Sequence, residues 1–297
     1  MKSWQPSKKP NAMNKNNNNK LTIGEALADL SLSQDKNQKL ERELLLAFVL
    51  RRDRSFLLLN YQQSLEAPEL AEYRRLAKKL LAGWPLAYLI GEREFYGRSF
   101  SVNPSTLIPR PESEMIVDII KKKIAAYPDV ALVDIGTGSG CLIISLAAEL
   151  GSGRKYYGLD ISTSALSVAK QNAKCHGVKV QFLESDLLSR LPQQKGPIFL
   201  VANLPYLTPE QVRREKSIQK EPKTALISGK DGFQHYRQLF KQLADRQDLK
   251  NFFLIIEIDP AQKKIVGAEA KKYWPKIEVE IIKDLRGKNR FAIINGQ

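Results

Sequence analysis

Cysteine is scarce in this sequence, which has only Cys141 and Cys175 among its 297 residues. Two thiols are too few for the disulfide framework of a small secreted domain or for a four-ligand zinc site. The sequence therefore predicts no bound metal. Its cysteine usage fits a reducing, cytoplasmic setting.

Long apolar runs are also missing from the chain. No segment approaches the roughly 20 consecutive apolar residues that cross a bilayer, and the N-terminus lacks the apolar stretch of a secretory signal. We therefore expect a soluble protein that stays in the cytoplasm and does not bind membranes.

Acidic residues are outnumbered, since 32 Asp and Glu stand against 47 Lys and Arg, for a formal net charge of +15. Such a charge indicates either a weak contact with nucleic acid or the ribosome, or simply a solvated basic surface. Residues 1–20 contain five lysines, no acid and the run Asn16–Asn19. This segment buries too little apolar area to offset the entropy of ordering, which predicts a disordered tail.

Residues 21–90 have a helical pattern that begins with Thr22 and Glu25 at capping-box spacing. Two apolar stripes at helical spacing follow, and we expect both to be core. The first stripe is Leu40, Leu44, Ala47 and Phe48, and the second is Leu70, Tyr73, Leu76, Ala77 and Leu80. The pattern predicts a small all-helical N-terminal domain. Residues 91–114 then predict a short hairpin around Gly97 and a linker interrupted by prolines.

Residues 115–297 alternate β-rich runs with helical stretches, which predicts an α/β domain with a mostly parallel, doubly wound, Rossmann-like sheet. The seven predicted strands are Ala131–Ile135, Lys155–Leu159, Val178–Glu184, Ile198–Ala202, Phe252–Ile258, Ile277–Lys283 and Arg290–Ile294. Only Asp284–Asn289 separates the last two strands. That is too short for a crossover helix, so the final strand must run antiparallel.

A glycine-rich loop follows the first of these strands directly and precedes a predicted helix, Cys141–Leu150. Its residues are Gly136, Thr137, Gly138, Ser139 and Gly140. Glycine lets a backbone turn tightly and approach a ligand without clashes from Cβ atoms. Nucleotides, dinucleotides and S-adenosylmethionine can all be held by such a loop.

Two aspartates end the next two predicted strands. Asp160 lies about 20 residues beyond the loop, where a carboxylate can accept hydrogen bonds from both ribose hydroxyls of an adenosine-containing cofactor. Asp186 is in a position to meet the adenine amino group, with Leu187 packing near the ring. A helix cap is the alternative role for Asp186.

The segment Asn203-Leu204-Pro205-Tyr206 follows the fourth predicted strand, at the carboxyl edge of the sheet. The nitrogen of a carboxamide is a poor nucleophile, because its lone pair is delocalised into the carbonyl. The side-chain oxygen of Asn203 and the backbone carbonyl of Leu204 can accept hydrogen bonds from that NH2 group. Pro205 biases Leu204 toward an extended backbone, and Tyr206 offers a flat face for a planar amide or base. A plain turn is the alternative.

With these motifs in place, the sequence resembles the HemK-like release-factor glutamine methyltransferases, also called PrmC, from about Leu21 to the C-terminus. Further matching segments are Pro85–Gly91, Glu94–Gly97, Leu107–Glu114, Asp134–Gly140, Glu221-Pro222, Gly229–Gly232 and Asp284–Arg290. Within these, Pro109-Arg110-Pro111-Glu112 favours the release-factor branch over the related ribosomal-protein glutamine methyltransferases.

The resemblance implies a class I methyltransferase that transfers a methyl group from S-adenosylmethionine to the side-chain nitrogen of a glutamine. It implies that this glutamine belongs to the Gly-Gly-Gln motif of peptide chain release factors, and that the helical N-terminal domain helps to hold the factor. It also implies that Asn203 contacts the cofactor as well as the substrate. The family usually has Asn-Pro-Pro-Tyr, and here Leu204 replaces the first proline.

Two other functions fit parts of the sequence. Asn-Leu-Pro-Tyr is also familiar from adenine-N6 methyltransferases of ribosomal RNA, in which Tyr206 would stack on the base. A noncatalytic RNA- or ribosome-binding module would account for the lysine-rich tail.

Overall fold

The computed structural model describes residues 20–29 and 38–296. The predicted disordered tail therefore lies outside the described residues, except for Lys20. The chain forms two compact units that divide between Ala82 and Gly83. The helix Leu86–Ile90, which we expected in the N-terminal domain, belongs to the larger unit.

The described part of the N-terminal unit is helical. Its helices are α1 (Ile23–Ala28), α2 (Lys39–Leu50), α3 (Arg54–Leu59) and α4 (Ala67–Leu81). Thr22 caps α1 as predicted, because its side chain accepts a hydrogen bond from the Glu25 amide and the Glu25 carboxylate accepts one from the Thr22 amide.

The apolar stripe predicted on α4 is buried at all five positions. The stripe predicted on α2 is wrong, since Leu40, Leu44 and Phe48 are exposed and only Ala47 is buried. The side of α2 that packs inward carries Leu45, Leu46, Arg42 and Glu43. Three consecutive leucines, 44–46, leave the phase of the helix ambiguous. Arg42 lies on the buried side of α2, where a charged residue is not expected. Its burial is possible because its guanidinium donates to the carbonyls of Ala26 and Leu27.

The larger unit begins with α5 (Leu86–Ile90) and a hairpin of β1 (Glu92–Phe95) and β2 (Arg98–Ser101). Tyr96 and Gly97 form the turn, with φ angles of 51° and 68°. Two successive residues with positive φ make a turn whose twist matches that of paired antiparallel strands. The predicted hairpin around Gly97 is therefore present.

The central sheet has seven strands in the order β5-β4-β3-β6-β7-β9-β8. These strands are β3 (Ala131–Ile135), β4 (Tyr156–Asp160), β5 (Gln181–Glu184), β6 (Ile198–Ala202), β7 (Phe252–Glu257), β8 (Val279–Lys283) and β9 (Asn289–Gly296). All pairings from β5 to β7 are parallel, and β9 is antiparallel to both of its neighbours. The predicted α/β fold and its antiparallel last strand are confirmed.

Helices cover both faces of this sheet. They are α6 (Glu114–Ile124), α7 (Cys141–Leu150), α8 (Thr163–Cys175), α9 (Pro209–Arg214), α10 (Gln234–Asp245) and α11 (Lys263–Tyr273). Apolar residues of α6, α7 and α8 pack on one face, and those of α10 and α11 pack on the other. Strands buried on both faces have continuous apolar sequences, as β6 and β7 do.

The topology determines where a ligand can bind. β3 lies at the point where the strand order reverses, with β4 on one side and β6 on the other. Ligands of doubly wound sheets bind at the carboxyl ends of the strands at such a point. Among the described residues, no helix has the length and apolar character that crossing a bilayer requires.

Candidate functional site

A cavity of about 340 Å³ lies at the carboxyl ends of β3, β4 and β6. It brings together ten of the twelve residues that the sequence singled out. These are Gly136, Thr137, Gly138, Ser139, Asp160, Asp186, Leu187, Asn203, Leu204 and Pro205. Gly140 and Tyr206 are not part of its lining.

The glycine loop forms the floor of the cavity with main-chain atoms. Gly136 and Gly138 have φ angles of 74° and 55°, which side chains rarely adopt. A Cβ atom on Gly136 would lie 2.8 Å from Cδ2 of Leu204, whereas one on Gly138 would meet no protein atom within 4 Å. The absence of a side chain at Gly136 therefore lets Leu204 pack close to the loop, and its absence at Gly138 leaves open space for a ligand.

Gly140 has a different role from the one expected. It precedes α7 with a φ of 79°, and a Cβ atom there would meet Ile144 at 2.8 Å and Ala169 at 3.2 Å. Its missing side chain allows α7 and α8 to pack closely. We expected a cofactor contact because all three glycines lie in one short segment, but only the first two line the cavity.

Asp160 ends β4 and is held in place by the loop. Its Oδ2 accepts a hydrogen bond from the Gly138 amide at 2.8 Å, and its Oδ1 accepts one from the Ser162 amide at 2.9 Å. Burial raises the pKa of this carboxyl group. Carboxylate oxygens have further lone pairs, so both can still accept hydrogen bonds from hydroxyl groups.

Asp186 and Leu187 lie at another end of the cavity, beyond β5. The Asp186 carboxylate accepts a hydrogen bond from the Gln238 side chain at 2.9 Å. Leu187 is buried and has a φ of 51°, a conformation that is uncommon for a branched residue. His235 and Gln238 of α10 complete this end, and no sequence motif indicated either residue. Burial lowers the pKa of His235.

Asp134, at position four of β3, was missed as a site residue. It lines the cavity and is 1% exposed, and its Oδ1 has no hydrogen-bond partner among the described residues. Thr137 donates to the other oxygen at 2.7 Å. Burial raises the pKa of Asp134 to about 7. An unsatisfied buried oxygen is costly, so this atom is a candidate to accept a hydrogen bond from a ligand.

These features fit S-adenosylmethionine. The open space at Gly138 accepts a ligand close to the backbone, Asp160 offers acceptors for ribose hydroxyls, and the free oxygen of Asp134 suits a cationic amino group. No group of three or more His, Cys, Asp or Glu side chains that could hold a metal ion occurs among residues 20–29 and 38–296.

The segment Asn203–Pro205 follows β6 and forms another wall of the cavity. The Asn203 amide nitrogen donates to Ser113 Oγ at 3.1 Å and to Glu257 Oε2 at 3.0 Å. Its Oδ1 has no hydrogen bond among the described residues, and it lies on the side of the amide opposite Glu257. An acceptor is therefore available at the cavity wall.

Tyr206 is anchored behind this wall. Its hydroxyl donates to Glu257 Oε1 at 3.1 Å, and burial raises its pKa. A Cβ atom on Gly232 would lie 2.3 Å from the Tyr206 carbonyl oxygen, so the backbone needs glycine there. This contact explains why the segment Gly229–Gly232 ends in glycine.

Residues 105–110 form a third wall, which the sequence did not assign to the site. Glu221, buried at 5% exposure, accepts hydrogen bonds from the Ile108 amide at 3.1 Å and from Arg110 at 2.6 Å. Its carboxylate thereby fixes the loop that carries Pro109. The motifs Leu107–Glu114 and Glu221-Pro222 could have suggested such a pairing, since both recur in the resembling family.

The chain is similar to known proteins over both units. Residues 24–91 match the PrmC N-terminal domain, and residues 127–274 match a methyltransferase domain. A solved structure of the hMettl16 catalytic domain with the MAT2A 3′UTR hairpin 6 shares the fold, with a TM-score of 0.53 and 17% identity over 78% of this chain and 82% of that one.

Curated relatives are closer in sequence. The release factor glutamine methyltransferase of Bacillus anthracis is 36% identical over 84% of this chain and 90% of its own. That of Bacillus subtilis is 34% identical over 91% of this chain and 96% of its own. With the methyltransferase fold and a cavity that fits S-adenosylmethionine, this chain belongs to the release factor glutamine methyltransferase family.

Proposed function

We propose that this protein transfers the methyl group of S-adenosylmethionine to the side-chain amide nitrogen of the glutamine in the Gly-Gly-Gln motif of peptide chain release factors. The observation that carries the proposal is the orientation of Asn203. Its NH2 group is held by Ser113 and Glu257, so its oxygen remains as an acceptor at the cavity wall. An acceptor there suits an NH2 group on the substrate.

The cofactor supplies a methyl group that is already activated by its sulfonium. Gly136, Thr137, Gly138 and Ser139 would hold it from the loop, with Asp160, Asp186 and Leu187 along its nucleoside. Asp134 would accept a hydrogen bond from its amino group through Oδ1, which has no partner among the described residues. Asn203 would lie where the cofactor and the substrate meet.

Asn203 Oδ1 and the Leu204 carbonyl accept hydrogen bonds from the two N–H groups of the glutamine amide. These bonds orient the nitrogen and stabilise the positive charge that develops on it. Pro205 restrains the Leu204 backbone, and the ring of Tyr206 packs against the planar amide. The nitrogen gains one methyl group and releases one proton to solvent. Alignment alone lowers such a barrier by roughly 7 to 11 kcal/mol, so no strong base is required.

The helical domain, predicted for residues 21–90, holds the body of the release factor in this proposal. Its support is the match of residues 24–91 to the PrmC N-terminal domain. A cytoplasmic location accords with this substrate and with the free thiols of Cys141 and Cys175. A weak contact with nucleic acid or the ribosome through the basic surface stays a prediction. No contact described here favours the adenine-N6 or the noncatalytic alternative.

The test offers purified protein a release factor and ribosomal RNA together with methyl-labelled S-adenosylmethionine. We expect label in the Gly-Gly-Gln peptide after proteolysis. The matched control is the same factor with that glutamine changed to alanine, which should stay unlabelled. Label that enters the RNA, or that enters both forms of the factor equally, contradicts the proposal.

A further inference from the structure

The cavity wall depends on a carboxylate that does not line the cavity. Glu257 ends β7, is 1% exposed, and is not among the lining residues. It accepts hydrogen bonds from Ser113 Oγ at 2.5 Å, Asn203 Nδ2 at 3.0 Å and Tyr206 Oη at 3.1 Å. Two segments that are distant in the sequence, one with Ser113 and the other with Asn203 and Tyr206, meet at this one side chain.

We propose that Glu257 is a positioning residue that selects the orientation of the Asn203 amide. A carboxamide fits its site in two orientations related by a 180° flip, which exchange its donor and its acceptor. An ionised carboxylate only accepts hydrogen bonds. Because Glu257 is the acceptor in all three of its side-chain hydrogen bonds, the NH2 group of Asn203 points toward it and the amide oxygen points away from it.

Glu257 also contacts groups around Asn203. Its carboxylate oxygen Oε1 accepts a hydrogen bond from the Tyr206 hydroxyl. Its main-chain carbonyl accepts one from Tyr236, whose oxygen in turn accepts one from the Leu204 amide. Removing one partner of a buried charged network leaves the other groups unsatisfied.

The proposal rests on the proposed amide methylation and makes a prediction about paired substitutions. In Glu257→Gln the new side chain can donate, so Asn203 can flip and present its NH2 to the NH2 of the substrate. We expect kcat to fall by roughly 10-fold or more, as when a preorganised contact is lost. The Kd for S-adenosylmethionine should stay within about twofold, since Glu257 does not line the cavity.

Asn203→Asp supplies the complementary change. Alone, Asn203→Asp places a second carboxylate beside Glu257. The assay is run at about pH 8.5, where the two carboxylates are less able to share a proton. Combined with Glu257→Gln, the aspartate accepts from the new amide and again offers an oxygen to the substrate. We expect Asn203→Asp to lower kcat in the wild-type background and to raise it in the Glu257→Gln background.

Glu221 provides the matched control, because it is also a buried carboxylate with two donors and does not contact Asn203. Asn203→Asp should lower kcat in the Glu221→Gln background, and the two effects should multiply. If the effects of Asn203→Asp and Glu257→Gln on kcat multiply in the same way, Glu257 does not set the amide orientation and the proposal is overturned.

Ser113→Ala gives an independent reading should Glu257→Gln fail to fold or to bind cofactor. It removes the second acceptor for the Asn203 NH2 group. We expect an unchanged Kd for the cofactor, and Asn203→Asp should still lower kcat in this background, because the Glu257 carboxylate remains. A kcat that Asn203→Asp raises in the Ser113→Ala background would assign the amide orientation to Ser113 and overturn the proposal. All comparisons are ratios to wild type, so absence of wild-type methylation would instead refute the proposed function.

Discussion

The two ends of the cavity are built in different ways. The donor end is built around one loop, residues 136–139, in which Gly136 and Gly138 have positive φ angles and the Gly138 amide donates to Asp160. The acceptor end is assembled from the side chains of Ser113, Asn203 and Glu257. Ser113 lies 90 residues from Asn203 along the chain, and Glu257 lies 54 residues from it. Under the proposed function, local backbone geometry would hold the cofactor, and long-range side-chain contacts would orient the substrate.

This difference predicts that changes at the acceptor end lower turnover and leave cofactor affinity intact. The largest effect is expected for Asn203→Ala, which removes the oriented amide and should lower kcat by roughly 100-fold or more. Single-turnover kinetics and a separate measurement of cofactor Kd check both parts. Near-normal kcat, or loss of cofactor binding at the same scale as kcat, would break the distinction between the ends.

At the donor end, Asp134→Asn should weaken cofactor binding instead. Loss of a hydrogen bond between charged groups costs about 1.5 to 3 kcal/mol, or roughly 10- to 100-fold in Kd. The kcat at saturating cofactor should change much less, because Asp134 is not part of the amide-binding wall. Isothermal titration calorimetry measures the first effect, and initial rates measure the second.

The same residue predicts a pH dependence. Burial raises the pKa of Asp134 to about 7, helped by the nearby charge of Asp160 and opposed by the Thr137 hydrogen bond. Only the ionised form attracts a cationic amino group, so affinity should rise with pH. Between about pH 5.5 and 7 the ionised fraction grows from about 3% to about 50%, a gain of roughly 16-fold. The Asp134→Asn variant should lack this slope, and an equal slope in both proteins would exclude Asp134 as its source.

Sequence reasoning succeeded at the donor end because the relevant information is local. A strand, two glycines with positive φ and a strand-ending aspartate can be recognised within about 25 residues. It located Asn203, Leu204 and Pro205 at the cavity for the same reason. It did not find Ser113 or Glu257, because neither pairing has a short-range signature.

Burial was harder to predict where polar residues lie inside. Arg42 and Glu43 are buried in α2, and this misled the prediction of its apolar face. Asp134 was likewise treated as part of a buried strand, although this residue lines the cavity and one of its carboxylate oxygens has no partner among the described residues. In each case, the tertiary partners of a polar group determine its position, and one sequence does not reveal them.

Gly136→Ala tests whether the two ends are mechanically separate. A left-handed φ costs a non-glycine residue about 1 to 2 kcal/mol, and the new Cβ would also press on Leu204. We therefore expect a cofactor Kd roughly tenfold higher and a smaller fall in kcat. Gly287→Ala is the control, since its φ of 77° is similar and no atom lies within 4 Å. Gly287→Ala should lower the stability of the protein without changing its kinetics. Equal kinetic losses in both variants would show that the contact with Leu204 is not their cause.

The smallest effect is expected for Leu204→Pro, which restores the usual family sequence at the acceptor end. Proline removes the Leu204 amide that donates to Tyr236 at 3.2 Å, which costs about 0.5 to 1.5 kcal/mol. It also restrains Asn203 to an extended backbone, which opposes that loss. Because Leu204 is proposed to act through its carbonyl, which proline retains, kcat should stay within about fivefold of wild type. A much larger fall would mean that the leucine side chain itself aligns the substrate with the cofactor. This side chain is 4% exposed and packs against the glycine loop.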